Sequence, residues 1–253
     1  HAADHVVEIM KHKPTGLEGM DRELVALMEL KGLHTEYLSF LPEGHGWLLV
    51  EFGGDTVEEA ESRARAAAAA LEGTSEHLRE MQVLVSREEQ HRVWVVRESG
   101  LGATAWIPGK PPTWEGWEDA AVAPEHIGDY LRDFRRLMGR YGYESALYGH
   151  FGQGCVHCRI NFDYESRAGL DRYLAFIDEA ADLVLRYGGA ISGEHGDGQS
   201  RGALLPKMFG EELMEAFRQF KRLWDPDWKM NPGKVIDAYP PDSNLVLGVD
   251  WDP

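Results

Sequence analysis

The sequence predicts an α+β fold, in which an antiparallel sheet of ferredoxin-like type is covered by helices on one face. A strand–helix–strand pattern occurs twice along the chain, and such units pair into antiparallel sheets that helices cover from one side. Hydrophobic residues make up 43% of the 253 residues and charged residues 27%, as in soluble globular domains. We therefore expect one folded domain over residues 1–240, followed by a tail over 241–253.

The first unit begins with a strand over residues 47–52, which read Trp-Leu-Leu-Val-Glu-Phe and end at two glycines. A helix over 56–71 starts with a Thr-x-x-Glu capping box and continues through a run of alanines. The largely apolar residues 81–85 predict the second strand. A helix over 87–97 follows, and then a structured loop over 99–124 that is rich in Gly, Pro and Trp.

The second unit opens with a helix over residues 124–141 that begins at Pro-Glu. Residues 146–162 predict two strands interrupted by glycines. Residues 168–187 carry apolar side chains at a 3.6-residue period, which indicates an amphipathic helix. A short strand over 190–192 and a last helix over 211–224 complete the unit.

Two groups of side chains are expected to be structural. One is aromatic and is expected to fill the core: Phe220, Trp224 and Trp228. The other is acidic and is expected to form a solvated face: Glu115, Glu118 and Asp119.

The formal net charge of −17 argues against nucleic acids and anionic membrane surfaces as partners. No run of about 18 apolar residues is present, so no transmembrane helix is expected, and no signal peptide is visible. With only two cysteines, a cytoplasmic protein is expected, with a peripheral place at the inner membrane face left open. The chain opens with His-Ala-Ala-Asp, which indicates either a tag remnant or a piece of a longer polypeptide.

Two glycine-framed segments carry the strongest chemical signal. Residues 149–157 place His150 and His157 seven residues apart, and the glycines between them permit a sharp fold that brings both imidazoles together. Imidazoles are good ligands for Zn, Mn, Fe or Ni. In the second segment Glu194 and His195 are adjacent, so on an extended backbone one faces a metal and the other a substrate. These segments favour a metal or catalytic site over histidines that are merely exposed or hydrogen-bonded.

The Cys-Val-His-Cys stretch at residues 155–158 allows two other interpretations, a redox cysteine pair and a zinc knuckle. A redox pair usually lies at the start of a helix, whereas this stretch is typical of a strand. A structural zinc needs further ligands at similar spacing, and the chain has no other cysteine. Both interpretations are therefore disfavoured.

The two segments resemble the paired Gly-His-x-Gly-Asp-Gly-Asn-x-His and Ser-Gly-Glu-His-Gly motifs of the C-terminal domain of the FAD-linked oxidases. That family includes D-lactate dehydrogenase, the glycolate oxidase flavoprotein subunit and D-2-hydroxyglutarate dehydrogenase. Residues 231–235 are similar to its closing Asn-Pro-Gly-Lys, and Trp94-x-x-Arg97-Glu98 is similar to an upstream helix motif. The four matches lie in the family's order.

The resemblance implies a role for each matching residue. His150, His157 and Glu194 are implied as ligands of a divalent metal, Zn or Mn, and His195 as the general base. Arg97 is implied to bind the substrate carboxylate, because a planar guanidinium can contact both carboxylate oxygens. Asn231 and Lys234 are implied to lie near the flavin or the substrate.

The implied activity is oxidation of a D-2-hydroxy acid to the 2-oxo acid by FAD. No Gly-rich phosphate loop is present, so FAD is expected to be bound mainly by a domain of the same or a partner polypeptide. The electron acceptor is left open. Two alternatives also stay open, a metal-dependent hydrolase and a non-catalytic domain with a decayed site.

The sequence departs from the family pattern beside the first ligand. The usual Asp-Gly-Asn is Gln153-Gly154-Cys155, and Arg159 stands where relatives often carry asparagine. Together with the Trp-Glu-Gly-Trp-Glu-Asp of residues 114–119, this variant most resembles the long members that carry FAD and an iron–sulfur cluster. We therefore expect an iron–sulfur cluster elsewhere in the parent protein, and Arg159 to bind a second carboxylate or polar tail of the substrate.

Overall fold

The computed structural model describes residues 1–75, 77–78, 80–245 and 248–249. It contains one five-stranded antiparallel sheet with the strand order β2-β1-β4-β5-β3. The strands are β1 (Gly16–Asp21), β2 (Gly46–Glu51), β3 (Asp119–Ala121), β4 (Tyr148–Gly149) and β5 (Cys155–His157). The predicted α+β class with an antiparallel sheet is confirmed.

Helices account for most of the remaining regular structure. They are α1 (Val6–Met10), α2 (Arg22–Lys31), α3 (Thr35–Leu38), α4 (Val57–Leu71), α5 (Arg87–Glu98), α6 (Gly100–Thr104), α7 (Ile127–Tyr141), α8 (Arg167–Arg186) and α9 (Leu205–Trp224). The predicted cap of α4 is present, since the Thr56 hydroxyl accepts a hydrogen bond from the Glu59 amide at 3.2 Å. None of the helices in the described ranges is long and apolar enough to cross a membrane.

The sheet buries side chains on both faces. On one face, Leu17 of β1 and Val156 of β5 enter the larger core together with residues of α1, α7 and α8. On the other face, Met20 of β1, Trp47 of β2 and Tyr148 of β4 enter a smaller core with residues of α2, α5 and α6. The main helix layer therefore covers one face, as expected, and a second group of helices covers the β1–β2 half of the opposite face.

Two strand predictions require correction. Residues 81–85 form no strand, and the first strand of the sheet is instead Gly16–Asp21, which was not predicted. That segment has two glycines and two carboxylates and no β-branched residue, so its local preference for a strand is weak. Its conformation is fixed by pairing with β2 along six residues and with β4. The strand expected at 190–192 is reduced to a single bridge between Ala121 and Ala190.

The C-terminal aromatic residues do not fill the core as expected. Phe220 is 65% exposed and Trp224 is 72% exposed. The reason is that α9 is broken at Gly210, where φ is 72°, and beyond the break only Met214 of this helix is buried. Trp228 is partly buried beneath the Lys221 ammonium, which lies 5.3 Å from its ring centre. Within the predicted tail, residues 246, 247 and 250–253 lie outside the described residues.

Candidate active site

The candidate site lies on the sheet face opposite the main helix layer. Neighbouring residues of a strand point to opposite faces. Each of three apolar core residues is therefore next in sequence to a polar residue of the site face: Leu17 to Glu18, Ala120 to Asp119, and Val156 to His157. Strands β1, β3 and β5 thus present three polar side chains on the same face.

The three predicted metal ligands are brought together. Oε1 of Glu194 lies 3.1 Å from Nε2 of His150 and 3.1 Å from Nε2 of His157. The sharp fold before His150 depends on Gly149, whose φ is 151°. A Cβ at that position would lie 2.4 Å from the carbonyl oxygen of Cys155, so only glycine lets the two histidine segments approach each other.

The outer nitrogens of both imidazoles are also held. Nδ1 of His150 lies 2.7 Å from Oε1 of Glu18, and Nδ1 of His157 lies 3.4 Å from the carbonyl oxygen of Glu118. Ligand histidines characteristically bind a carboxylate or a carbonyl through their second nitrogen. Two imidazoles and a carboxylate with these outer partners therefore fit a divalent metal such as Zn or Mn.

Two groups of side chains in the described ranges have ligand atoms that all lie within 4.8 Å of one another, and His150 belongs to neither group. They are Asp119, Cys155, His157 and Glu194, and Glu118, His157 and His195. Both groups contain His157 and belong to the same site.

Glu18 connects the histidines to Arg97. Nη2 of Arg97 lies 2.6 Å from Oε2 of Glu18, and both side chains are largely buried. The guanidinium also lies over the ring of Tyr148, with its carbon 5.1 Å from the ring centre. Arg97, the predicted carboxylate-binding residue, is thus fixed to the same carboxylate that holds His150. Sequence reasoning missed Glu18 because it lies in the strand that was not predicted.

His195 lies at the other end of the site. Its Nδ1 is 2.9 Å from both carboxylate oxygens of Glu118, and its Nε2 is 3.5 Å from Oε1 of Glu194. The ring stacks on that of His157, with 5.0 Å between the ring centres and 4° between the planes. The ring therefore points one nitrogen at a carboxylate and the other towards the proposed metal ligands.

Asp119 holds the backbone of the Glu194-His195 segment. Its Oδ2 accepts hydrogen bonds from the Ser192 hydroxyl at 2.6 Å, the Glu194 amide at 3.1 Å and the His195 amide at 2.8 Å. Its Oδ1 accepts one from the Cys155 thiol at 3.2 Å. A fully buried carboxylate thus fixes the loop that carries Glu194 and His195.

The expected solvated acidic face is therefore wrong for two of its three members. Asp119 is fully buried because β3 turns it towards the histidines, and Glu118, directly before β3, has a side chain that is only 15% exposed. Only Glu115 is mainly exposed, at 63%. A sequence signal did exist, since Glu118 and Asp119 directly precede the apolar Ala-Ala-Val of a buried strand.

The surroundings shift the pKa values of the two stacked histidines, His157 and His195, in opposite directions. Burial lowers the pKa of His157, and the neighbouring His150 and His195 add to this effect. Burial opposes protonation of His195 as well, but its hydrogen bond with Glu118 and the nearby carboxylates outweigh burial and raise its pKa. His157 is therefore suited to remain a neutral ligand, and His195 to accept a proton.

Two of the remaining predicted residues, Arg159 and Lys234, have partners outside the cluster of histidines and carboxylates. Arg159 pairs with Glu115 and donates to the carbonyl of Thr113 at 3.0 Å. Lys234 donates to the side chain of Gln199 at 3.3 Å. The amide of Val235 donates to the carbonyl of Gly198 at 2.8 Å, so the segment with Asn231 and Lys234 lies against the loop that follows His195.

The two cysteines are free thiols with separate partners. The Cys155 thiol donates to Asp119, and the buried Cys158 thiol donates to the carbonyl of Trp117 at 3.1 Å. Burial raises the pKa of both thiols, whereas redox cysteines have a lowered pKa. These contacts disfavour the redox interpretation further.

Comparison with known proteins connects this geometry to a family. Residues 1–235 match the family described as FAD linked oxidases, C-terminal domain. The chain is 33% identical over 234 residues to D-2-hydroxyglutarate dehydrogenase of Pseudomonas putida, covering 90% of this chain and 23% of that protein. It is 32% identical over 244 residues to D-lactate dehydrogenase of Archaeoglobus fulgidus, covering 93% of this chain and 48% of that protein.

It is also 27% identical over 241 residues to glycolate oxidase subunit GlcD of Bacillus subtilis, which again covers 93% of this chain and 48% of that protein. The chain thus spans between 23% and 48% of the length of these relatives. Because the family match extends over most of the chain, this protein belongs to the family of FAD-linked oxidase C-terminal domains.

Proposed function

We propose that this chain is the substrate- and metal-binding domain of a flavin-dependent dehydrogenase that oxidises a D-2-hydroxy acid to the 2-oxo acid. The observation that carries the proposal is the convergence of His150, His157 and Glu194 beside His195. The names of the relatives, which are D-2-hydroxyglutarate dehydrogenase, D-lactate dehydrogenase and glycolate oxidase, support the substrate class.

The reaction requires that the hydroxyl proton and the C2 hydride leave the substrate. Nε2 of His195 takes the proton, because its other nitrogen is held by Glu118 and its pKa is raised. His150, His157 and Glu194 would hold the divalent metal, which would supply a Lewis acid that lowers the pKa of the hydroxyl. FAD supplies the hydride acceptor.

Two arginines bind the anionic parts of the substrate. Arg97 binds the C1 carboxylate, and its orientation is fixed in advance by Glu18 and Tyr148. Arg159 binds a second carboxylate or polar tail. Each guanidinium already has a carboxylate partner in this chain, Glu18 for Arg97 and Glu115 for Arg159, so the substrate carboxylates share or displace those partners.

The proposal includes partners outside this chain. FAD is bound mainly by a domain of the same or a partner polypeptide, towards which Asn231 and Lys234 contribute contacts. We also place an iron–sulfur cluster in the parent protein and the whole assembly in the cytoplasm.

The test is the His195→Asn substitution in the flavin-loaded protein that contains this chain. Anaerobic mixing with D-2-hydroxyglutarate or D-lactate is expected to reduce the flavin of the unsubstituted protein. The variant is expected to lose about 10²–10⁴-fold in rate, the usual contribution of a general base. Bound metal, measured by elemental analysis, is expected to stay unchanged. His126→Asn is the matched control, because His126 is an exposed histidine that lies against Tyr187.

Unchanged flavin reduction in His195→Asn would contradict the assignment of the base. Failure of the unsubstituted protein to reduce its flavin with any 2-hydroxy acid would contradict the proposed reaction. Metal-dependent ester hydrolysis by this chain without flavin would support a hydrolase instead.

A further inference from the structure

Glu118 has contacts on two sides that single it out from the other carboxylates near His195. Both of its oxygens lie 2.9 Å from Nδ1 of His195. Its Oε1 also lies 3.3 Å from Nη1 of Arg201. Glu118 therefore contacts a positively charged group on one side and the imidazole on the other.

Arg201 is an unusual residue to find in this position. Its side chain is 4% exposed, and its Nη2 donates to the carbonyl of Gly196 at 2.7 Å. Buried arginines are rare unless they are paired. The contacts form a closed cycle. It runs from Glu118 to His195, along the chain to Gly196, and through Arg201 back to Glu118.

This cycle of contacts determines which nitrogen of His195 carries the proton. An ionised carboxylate only accepts hydrogen bonds, so Nδ1 of His195 must be the donor towards Glu118. Nε2 then keeps its lone pair, and it is the nitrogen that lies near Glu194. Stacking on His157 fixes the plane of the ring.

We propose that Glu118 is a positioning residue that keeps His195 in the tautomer and orientation needed to accept the substrate proton, with Arg201 as the anchor of Glu118. This inference rests on the proposed role of His195 as the base. It assigns to Glu118 and Arg201 a function that acts through His195.

Glu118 has one competing interpretation, as a ligand of a metal shared with His157 and His195. Both oxygens of Glu118 lie 2.9 Å from the same nitrogen of His195, and one of them also contacts Arg201, which favours direct hydrogen bonding. Metal content separates the two interpretations, because a positioning residue can be removed without loss of the metal.

The kinetic test uses Glu118→Ala and Glu118→Gln in the flavin-loaded protein, with D-2-hydroxyglutarate as substrate. Glu118→Ala is expected to lower kcat about 100-fold and to change KM less than about 2-fold, with full metal content. Glu118→Gln is expected to lose only about 10-fold, since its amide oxygen still accepts from Nδ1 while the charge is gone. Glu144→Gln is the control, because this exposed carboxylate pairs only weakly with Lys110 at 3.5 Å.

A double substitution excludes a merely structural effect. In the His195→Asn background, Glu118→Ala is expected to cause no further loss of rate, because there is no base left to position. Additive losses, unchanged kcat in Glu118→Ala, or loss of the metal from that variant would each overturn the inference.

A crystal structure of the Glu118→Ala protein supplies a measurement that does not depend on turnover. We expect the His195 ring to leave its stacked orientation over His157, and an unchanged ring would overturn the inference. If the unsubstituted protein reduces no flavin, the proposed reaction fails, while the ring orientation still decides whether Glu118 positions His195.

Discussion

The two faces of strands β1, β3 and β5 differ in most of the side chains that they carry, although Met20 on the site face also packs in the smaller core. One face supplies apolar residues to the main core: Leu17, Ala120 and Val156. The other supplies polar residues to the candidate site: Glu18, Asp119 and His157. Because side chains alternate along a strand, a pairing shift of one residue would exchange the two sets. The packing that stabilises the fold therefore also fixes the register of the site.

The polar side chains of the site face are nearly as buried as the apolar side chains of the other face. Their burial means that each charged group needs a partner. A buried charge is costly unless it is paired or hydrogen-bonded. Glu18 is paired with Arg97 and His150, and Asp119 accepts four hydrogen bonds. The carboxylates around the histidines thus act as partners of the functional groups.

The largest expected effect comes from removing the carboxylate that the polar face contributes through β3. Asp119→Ala leaves the Ser192 hydroxyl and the amides of Glu194 and His195 without their acceptor, at a cost of about 1–3 kcal/mol for each donor left unpaired. Denaturant unfolding followed by tryptophan fluorescence measures this loss. Asp119→Asn keeps one acceptor oxygen and is expected to lose much less.

The matched substitution on the apolar face is Leu17→Ala, which removes a fully buried side chain from the main core. It is expected to lower the free energy of unfolding by about 2–5 kcal/mol. The two variants are then compared by their rates of flavin reduction. We expect this rate to fall in Asp119→Ala and to stay unchanged in Leu17→Ala. Equal losses of rate in Asp119→Ala and Leu17→Ala would mean that the polar face is no more important for activity than the apolar face.

This contrast also explains which parts of the site could be predicted from the sequence. His150, His157, Glu194 and His195 lie in two short glycine-rich segments whose residue types and spacing are informative by themselves. The helices α4, α5, α7 and α8 could be predicted for a similar reason, since capping and a 3.6-residue period are local signals.

The partners of these residues could not be predicted because they come from distant parts of the chain. Glu18 meets His150 across 132 residues, and Glu118 meets His195 across 77 residues. Both contacts depend on strand pairings that local preference does not reveal, and β1 in particular has a weak preference for a strand.

The next largest effect is expected from substitution of Glu18, the residue that β1 contributes to the polar face. Glu18→Gln keeps an acceptor for Nδ1 of His150 but removes the negative charge that makes this imidazole a stronger ligand. We expect metal affinity, measured by competition with a chelator, to fall about 10–100-fold. Glu51→Gln on β2 is the control, because Glu51 is an exposed carboxylate of the same sheet. Equal affinities of the two variants would show that Glu18 does not support the proposed metal site.

The smallest expected effect lies at the edge of the site, where the acidic residue is exposed. Arg159 pairs with Glu115, which competes with any second carboxylate of the substrate. Exposed ion pairs contribute about 0.2–1 kcal/mol, so Glu115→Gln is expected to lower KM for D-2-hydroxyglutarate by at most about 5-fold. KM for D-lactate, which has a single carboxylate, is expected to stay the same. Because salt screens exposed charges, the difference between variant and unsubstituted protein should shrink as ionic strength rises. An equal change in KM for both substrates would show that Arg159 does not distinguish a dicarboxylate.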